Sequence, residues 1–221
     1  MIGAGIVETI AAPHRSRYAA AMLTISPRHP DFQHPLLTKL AAVLAEAGGD
    51  VWISTEANNL VRPRREGDPG SLHWIVEAEG LPNLLHEYLH FAQVGRLAED
   101  HAIDYRLIPF DTSLASGRQL LWSELACCVL SCAYLSDRPE RVAPWFAEQL
   151  GIVHQFYGFD HKEPFFLRVE ALLSAHRHEF EVQFEATRRL AEQDLGPPPK
   201  WLEFPGLWLE FRASKGVSGG Y

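Results

Sequence analysis

The chain has 221 residues, 47% of them hydrophobic and 22% charged, a balance that fits one globular domain with a buried core. No apolar run reaches the roughly 18 residues a membrane helix needs, so no membrane partner is expected. The net charge of −8 argues against nucleic acid, whose binding rests on neutralising phosphates.

The N-terminal octet Met1 to Glu8 places no basic region before an apolar stretch and carries an early acid, so no secretory signal is expected. Tyr18 to Ser26 reads as a first strand closed by Pro27. Between Pro35 and Ala47, Leu36, Leu37, Leu40, Val43 and Leu44 recur at helical spacing. Gly48-Gly49-Asp50 ends that helix, and Val51 to Thr55 opens a second strand running on toward Val61. Arg62 to Ser71 is charged and rich in Gly and Pro, a loop in which the cluster Arg62-Pro63-Arg64-Arg65 is solvated. His73 to Glu79 reads as a third strand.

Pro82 suits a helix start, and Leu84, Leu85, Leu89, Ala92 and Leu97 place a helix at about 83–98. A mixed segment, Glu99 to Gly117, leads to a strongly apolar helix, Arg118 to Leu135, stopped by Ser136-Asp137-Arg138-Pro139. Helices follow at about 140–156 and 165–194, before Gly196-Pro197-Pro198-Pro199 breaks the chain. The order implies an α+β fold in a single domain over 1–195, sheet-rich over 1–80 and helical over 81–195. Residues 196–221 form a tail, aromatic and then Gly/Ser-rich, whose Trp201, Phe204, Trp208 and Phe211 are expected to pack on the core.

Cys127, Cys128 and Cys132 crowd one apolar segment, an odd count that makes no disulfide framework. They read as buried small side chains in a reducing, cytoplasmic compartment.

The chemistry concentrates in His86-Glu87-Tyr88-Leu89-His90. Two histidines four residues apart share one helix face, one turn apart, so both rings can reach a single ion. Glu87 follows the first histidine directly, beside the ion without being forced to bind it, where it can take a proton from water and pass it on. A third protein ligand is then needed. Glu124 is the best candidate, the one charge in Leu120-Leu121-Trp122-Ser123-Glu124-Leu125-Ala126-Cys127-Cys128-Val129-Leu130. A helix apolar on all faces is normally buried, and a carboxylate there requires neutralisation, by a cation or by an arginine such as Arg106 or Arg118. His101, Asp104 and Asp111 in the connecting segment are the competing ligands.

These residues resemble the zincin metallopeptidases, above all their gluzincin branch. The similarity covers about 50–135 and rests on His86-Glu87-Tyr88-Leu89-His90 together with Ser123-Glu124-Leu125-Ala126. It implies a small twisted mixed sheet packed on the HExxH helix, with His86, His90 and Glu124 as zinc ligands, Glu87 as general base, and peptide-bond cleavage. Gln93 and Arg96 stand where the extended HExxHxxGxxH motif has Gly and His, which excludes that variant. Ser123 and Cys128 stand where the gluzincin pattern has Asn and an acid, so the carboxylate that orients a ligand histidine has no counterpart at its usual place.

Amide hydrolysis also needs a group that stabilises an oxyanion. His154 and Tyr157 are the first candidates, with Tyr105 and His161 behind them; His176 and His178, two apart on a helix, diverge and read as surface residues. A peptide or protein substrate is expected to add to an exposed sheet edge supplied by Val51–Leu60 or His73–Glu79, with Glu77 and Glu79 favouring basic side chains. The expected activity is therefore a zinc-dependent peptidase. Two alternatives keep the same ligands: a non-haem Fe2+ oxygenase that modifies peptides, since two histidines and a carboxylate also hold iron, and a non-catalytic zincin-like binding module.

Overall fold

The computed structural model describes residues 23–63, 74–97, 111–156 and 162–214, and of 151–156, 162–166 and 211–214 the backbone alone. The chain divides into two compact units, Met1–Ile103 and Asp104–Tyr221. The class is α+β, a four-stranded mixed sheet followed by a mainly helical part.

In the first unit β1 (Leu23–Ile25), α1 (Pro35–Glu46) and β2 (Gly49–Ile53) form a crossover that makes β1 and β2 parallel neighbours. Parallel strands need such a helical connection. β3 (Leu60–Pro63) and β4 (Trp74–Ala78) complete the sheet in the order β1-β2-β4-β3, with β4 parallel to β2 and β3 antiparallel to β4. α2 (Leu81–Val94) follows β4 almost at once. Strand alternation puts Leu23, Ile25, Val51, Ile53, Val76 and Ala78 on one pleated face, and all six are buried. α1 packs against β2 through its buried Leu37, Leu40 and Leu44 row, and α2 packs against β4 and α1.

Four expectations need correction here. β2 starts at Gly49, not Val51, because Gly48 adopts a left-handed φ of 82° and reverses the chain at once. β2 also stops at Ile53 and the chain returns as β3, with Asn59 at a φ of 49° just before it. β2 and β4, expected to offer an exposed edge, are therefore interior; among the described residues the edges are β1 and β3, and Pro63 suits an edge because it has no N–H to donate. Finally, α2 ends at Val94, short of 98. Gly95 takes a φ of 74° and its N–H closes on the Phe91 carbonyl at 2.7 Å, a left-handed cap that overrides the continuing apolar period. The proposed first-strand residues 18–22 lie outside the described residues.

The second unit holds α3 (Ala115–Tyr134), α4 (Pro139–Phe156), α5 (Lys162–Leu195) and α6 (Phe204–Ser214). α3 packs on α4 and α5, and every residue from Leu125 to Tyr134 is buried, as its uniform apolarity requires. α4 contains Pro144, which cannot donate to the carbonyl one turn back, and α5 bends at His176, whose φ of −131° and ψ of 30° are not helical. α6 arises within the segment read as a tail. Its Phe204, Leu207 and Trp208 are buried, Phe204 contacts Phe146 and Phe180 edge-on, and Trp208 Nε1 donates to Glu170 at 2.6 Å. Among the described residues no helix is long and apolar enough to cross a membrane.

Candidate metal centre

α2 carries the two histidines on the side away from its core contacts. Leu81, Leu84, Leu85, Tyr88 and Leu89 are buried, whereas His86, Glu87 and His90 are half-buried, so the HExxH polar groups form a stripe along the edge of the packed face. The first turn lacks a side-chain cap from its own N-cap residue, Gly80. Asp31, fully buried in the β1–α1 connection, accepts the Leu81 N–H at 2.9 Å instead. The one-turn spacing brings the two imidazoles together edge to face, with ring centroids 4.6 Å apart and the two Nε2 atoms at 2.9 Å.

Glu124 lies in the first half of α3, on a stripe with Ser116, Gln119, Leu120 and Ser123 that is exposed to half-buried; one turn further on, the same stripe becomes the buried Cys127 and Cys128. Glu124 is thus half-buried at the point where the stripe submerges, and not sealed in an apolar interior as the surrounding letters suggest. Arg118, offered as its neutralising partner, is committed elsewhere: Nε and Nη2 fork onto Glu179 at 2.8 Å each, and Nη1 donates to the Ser113 carbonyl at 2.7 Å. Trp122 Nε1 and His176 Nδ1 reach the same Glu179 carboxylate, whose acidity is raised until it titrates at about 2, chiefly by the Arg118 hydrogen bonds. Arg106 lies outside the described residues.

One ligand atom each from His86, His90 and Glu124 fall within 4.8 Å of one another, the one group of three metal-capable side chains among the described residues. The donor set fits a divalent cation. Two nitrogens on one tetrahedral zinc stand about 3.3 Å apart, from Zn–N bonds of about 2.0–2.1 Å, so the 2.9 Å Nε2 pair needs to open by only a few tenths of an ångström. Two imidazoles and one carboxylate would leave at least one position of a tetrahedral ion to exchangeable ligands. The sequence thus contains a possible two-histidine, one-glutamate metal site.

No protein-family profile matches the chain, and no characterised protein or solved structure is detectably similar to it.

The competing ligands separate clearly. Asp111 is exposed and accepts from the Ser113 N–H at 2.9 Å and from its hydroxyl at 2.5 Å, a turn just ahead of α3 that also lowers its pKa. His101, Asp104, Tyr105, Tyr157 and His161 lie outside the described residues, and of His154 only its backbone position in α4 is described. His178 is exposed as expected, while His176 is half-buried against Glu179. Glu77 is buried and bound to Arg62 at 2.5 Å, which removes it as a feature selecting basic substrates. The three cysteines are buried and none is in a disulfide; burial, with the Glu124 charge adding to it, pushes the Cys128 thiol well above its usual range, so it stays protonated. The residues missed by sequence reasoning are His29 and Asp31. Their partners lie fifty positions away, and no local spacing signals them.

Proposed function

We propose that the chain is a metal-dependent hydrolase, in the first place a zinc peptidase, with His86, His90 and Glu124 holding the ion. The convergence of these three side chains within 4.8 Å is the observation that carries the reading. A divalent cation held there supplies Lewis acidity, lowering the pKa of water and polarising a carbonyl. Glu87 is next to His86 on α2 and half-buried, so its carboxylate is the group that takes the proton released from water and returns it to the departing amine. His86 and His90 enter as neutral imidazoles and Glu124 as a carboxylate, leaving one net positive charge to favour an anionic transition state. Oxyanion stabilisation falls to His154 or Tyr157. The edge strand β3, neighbour of the strand that runs into α2, is where an extended peptide would pair.

The same ligand set suits Fe2+, which gives the oxygenase reading, and Ser123 and Cys128 in place of the gluzincin residues give the binding-module reading. Metal analysis of protein purified without added metal separates zinc from iron. For the hydrolase, Glu87→Gln is expected to retain one equivalent of metal while hydrolysis across a peptide library falls by about 10²–10⁴. Full activity in that variant sinks the mechanism, and metal retention in a His86→Ala, His90→Ala double variant sinks the site.

A further inference from the structure

The connection between β1 and α1 makes a set of long-range contacts that converge on the entry to α2. Asp31 is fully buried and its Oδ2 accepts the Leu81 N–H at 2.9 Å. His29, also buried, accepts the Asp31 N–H at its Nδ1 (3.2 Å), which leaves the ring proton on Nε2, donated to the Glu79 carbonyl at 2.9 Å. Both sides of the β4–α2 junction are therefore held from one short segment. That segment is itself stiff. His29 N–H closes on the Ser26 carbonyl at 2.9 Å, Phe32 on His29 at 3.0 Å and His34 on Asp31 at 2.8 Å, with Pro27 and Pro30 restricting the chain between them. Gly80 is built to this contact: a Cβ there would stand 3.0 Å from Asp31 Oδ2 and 3.6 Å from His29 Cε1.

We infer that His29 and Asp31 are positioning residues for the metal centre, setting the rotation and axial height at which α2 presents His86 and His90. The inference rests on the metal reading of that site. Its physical ground is a difference in tolerance. A side chain about 5–6 Å from a helix axis moves about 1 Å when the helix turns by about 10°, whereas metal–ligand distances tolerate only about 0.2 Å. A helix entering straight from a strand through a glycine has no side-chain cap of its own to define that rotation, and the buried carboxylate supplies one.

The test is Co2+ titration of the full chain, reading affinity and the visible d–d spectrum. Asp31→Ala is expected to weaken Co2+ binding about tenfold or more and to alter the spectrum while the far-ultraviolet dichroism stays native. Asp31→Asn, whose side-chain oxygen still accepts the Leu81 N–H, is expected to recover most of the affinity and the wild-type spectrum. Should Asp31→Ala not fold, Gly80→Ala carries the test, since its methyl group crowds the carboxylate and pushes it by a few tenths of an ångström. A folded variant with a lowered melting temperature but unchanged Co2+ affinity and spectrum overturns the inference alone, leaving the metal site intact. Wild-type protein that binds no Co2+ overturns the metal reading, and this inference with it.

Discussion

Glu179 on α5 faces the apolar α3 and Glu124 belongs to α3 itself, and their surroundings divide their roles. Glu179 receives Arg118 in a two-pronged contact and Trp122 Nε1 at 3.2 Å, and it titrates at about 2, below an ordinary value of 4.5. Its folded-state pKa is depressed, so the stability it contributes is present above about 4.5 and is lost as pH falls through about 2. The melting temperature of Glu179→Gln is therefore expected to lie below that of the wild type at pH 6 and to converge on it toward pH 2; a gap that persists unchanged at pH 2 contradicts the assignment. Its partially exposed position makes the gap modest. Glu124 instead belongs to the candidate metal group with His86 and His90. Its candidacy was legible from its isolation among apolar residues, but its half-exposure was not, because α3 changes from a striped to a fully buried helix within one turn.

At the scale of elements, two glycines show how α2 and α3 acquire their ends for different reasons. Gly95 holds a φ of 74° with nothing within 4 Å of a built Cβ, so Gly95→Ala is expected to cost about 1–2 kcal/mol through backbone strain alone, and Gly95→Asn less. Gly117 is helical, yet a Cβ there would fall 2.2 Å from the Asp111 carbonyl oxygen. Gly117→Ala is expected to lower stability by about 1–3 kcal/mol by forcing backbone apart, and Asn at 117 brings no relief. Urea midpoints with unchanged m-values check both, and a rescue by Asn at 117 would show the steric account to be wrong. The apolar periods of α1, α2 and α3 located these helices within a few residues. α6 escaped because its buried positions, Phe204, Leu207 and Trp208, span barely more than one turn behind a proline-rich break.

At the scale of the whole molecule, a ligand that binds only the folded chain adds to its stability by mass action, about 2.7 kcal/mol at a hundredfold excess over Kd. Stripping metal with a chelator is accordingly expected to lower the melting temperature of the wild type and to leave that of a His86→Ala, His90→Ala variant unmoved. An equal response in both would place the metal elsewhere. The strand order β1-β2-β4-β3 belongs to this scale too. The β1–α1–β2 alternation implies a parallel pair, but nothing in the letters says that the short β3 turns back to the outside of β4, so that β1 and β3 flank β2 and β4, the two strands expected as edges.

Sequence alone determined whatever repeats within a few residues: the helix that holds His86, Glu87 and His90 on neighbouring positions, the buried row of α1, the apolar second half of α3 and the α+β class. Those features follow from the 3.6-residue turn and the two-residue pleat, which any window of the chain displays. Tertiary structure decided that Arg118 turns to Glu179 and that Asp31 closes the first turn of α2. Each of those pairs joins positions thirty or more residues apart, and such contacts depend on how whole elements pack, a quantity no local spacing carries.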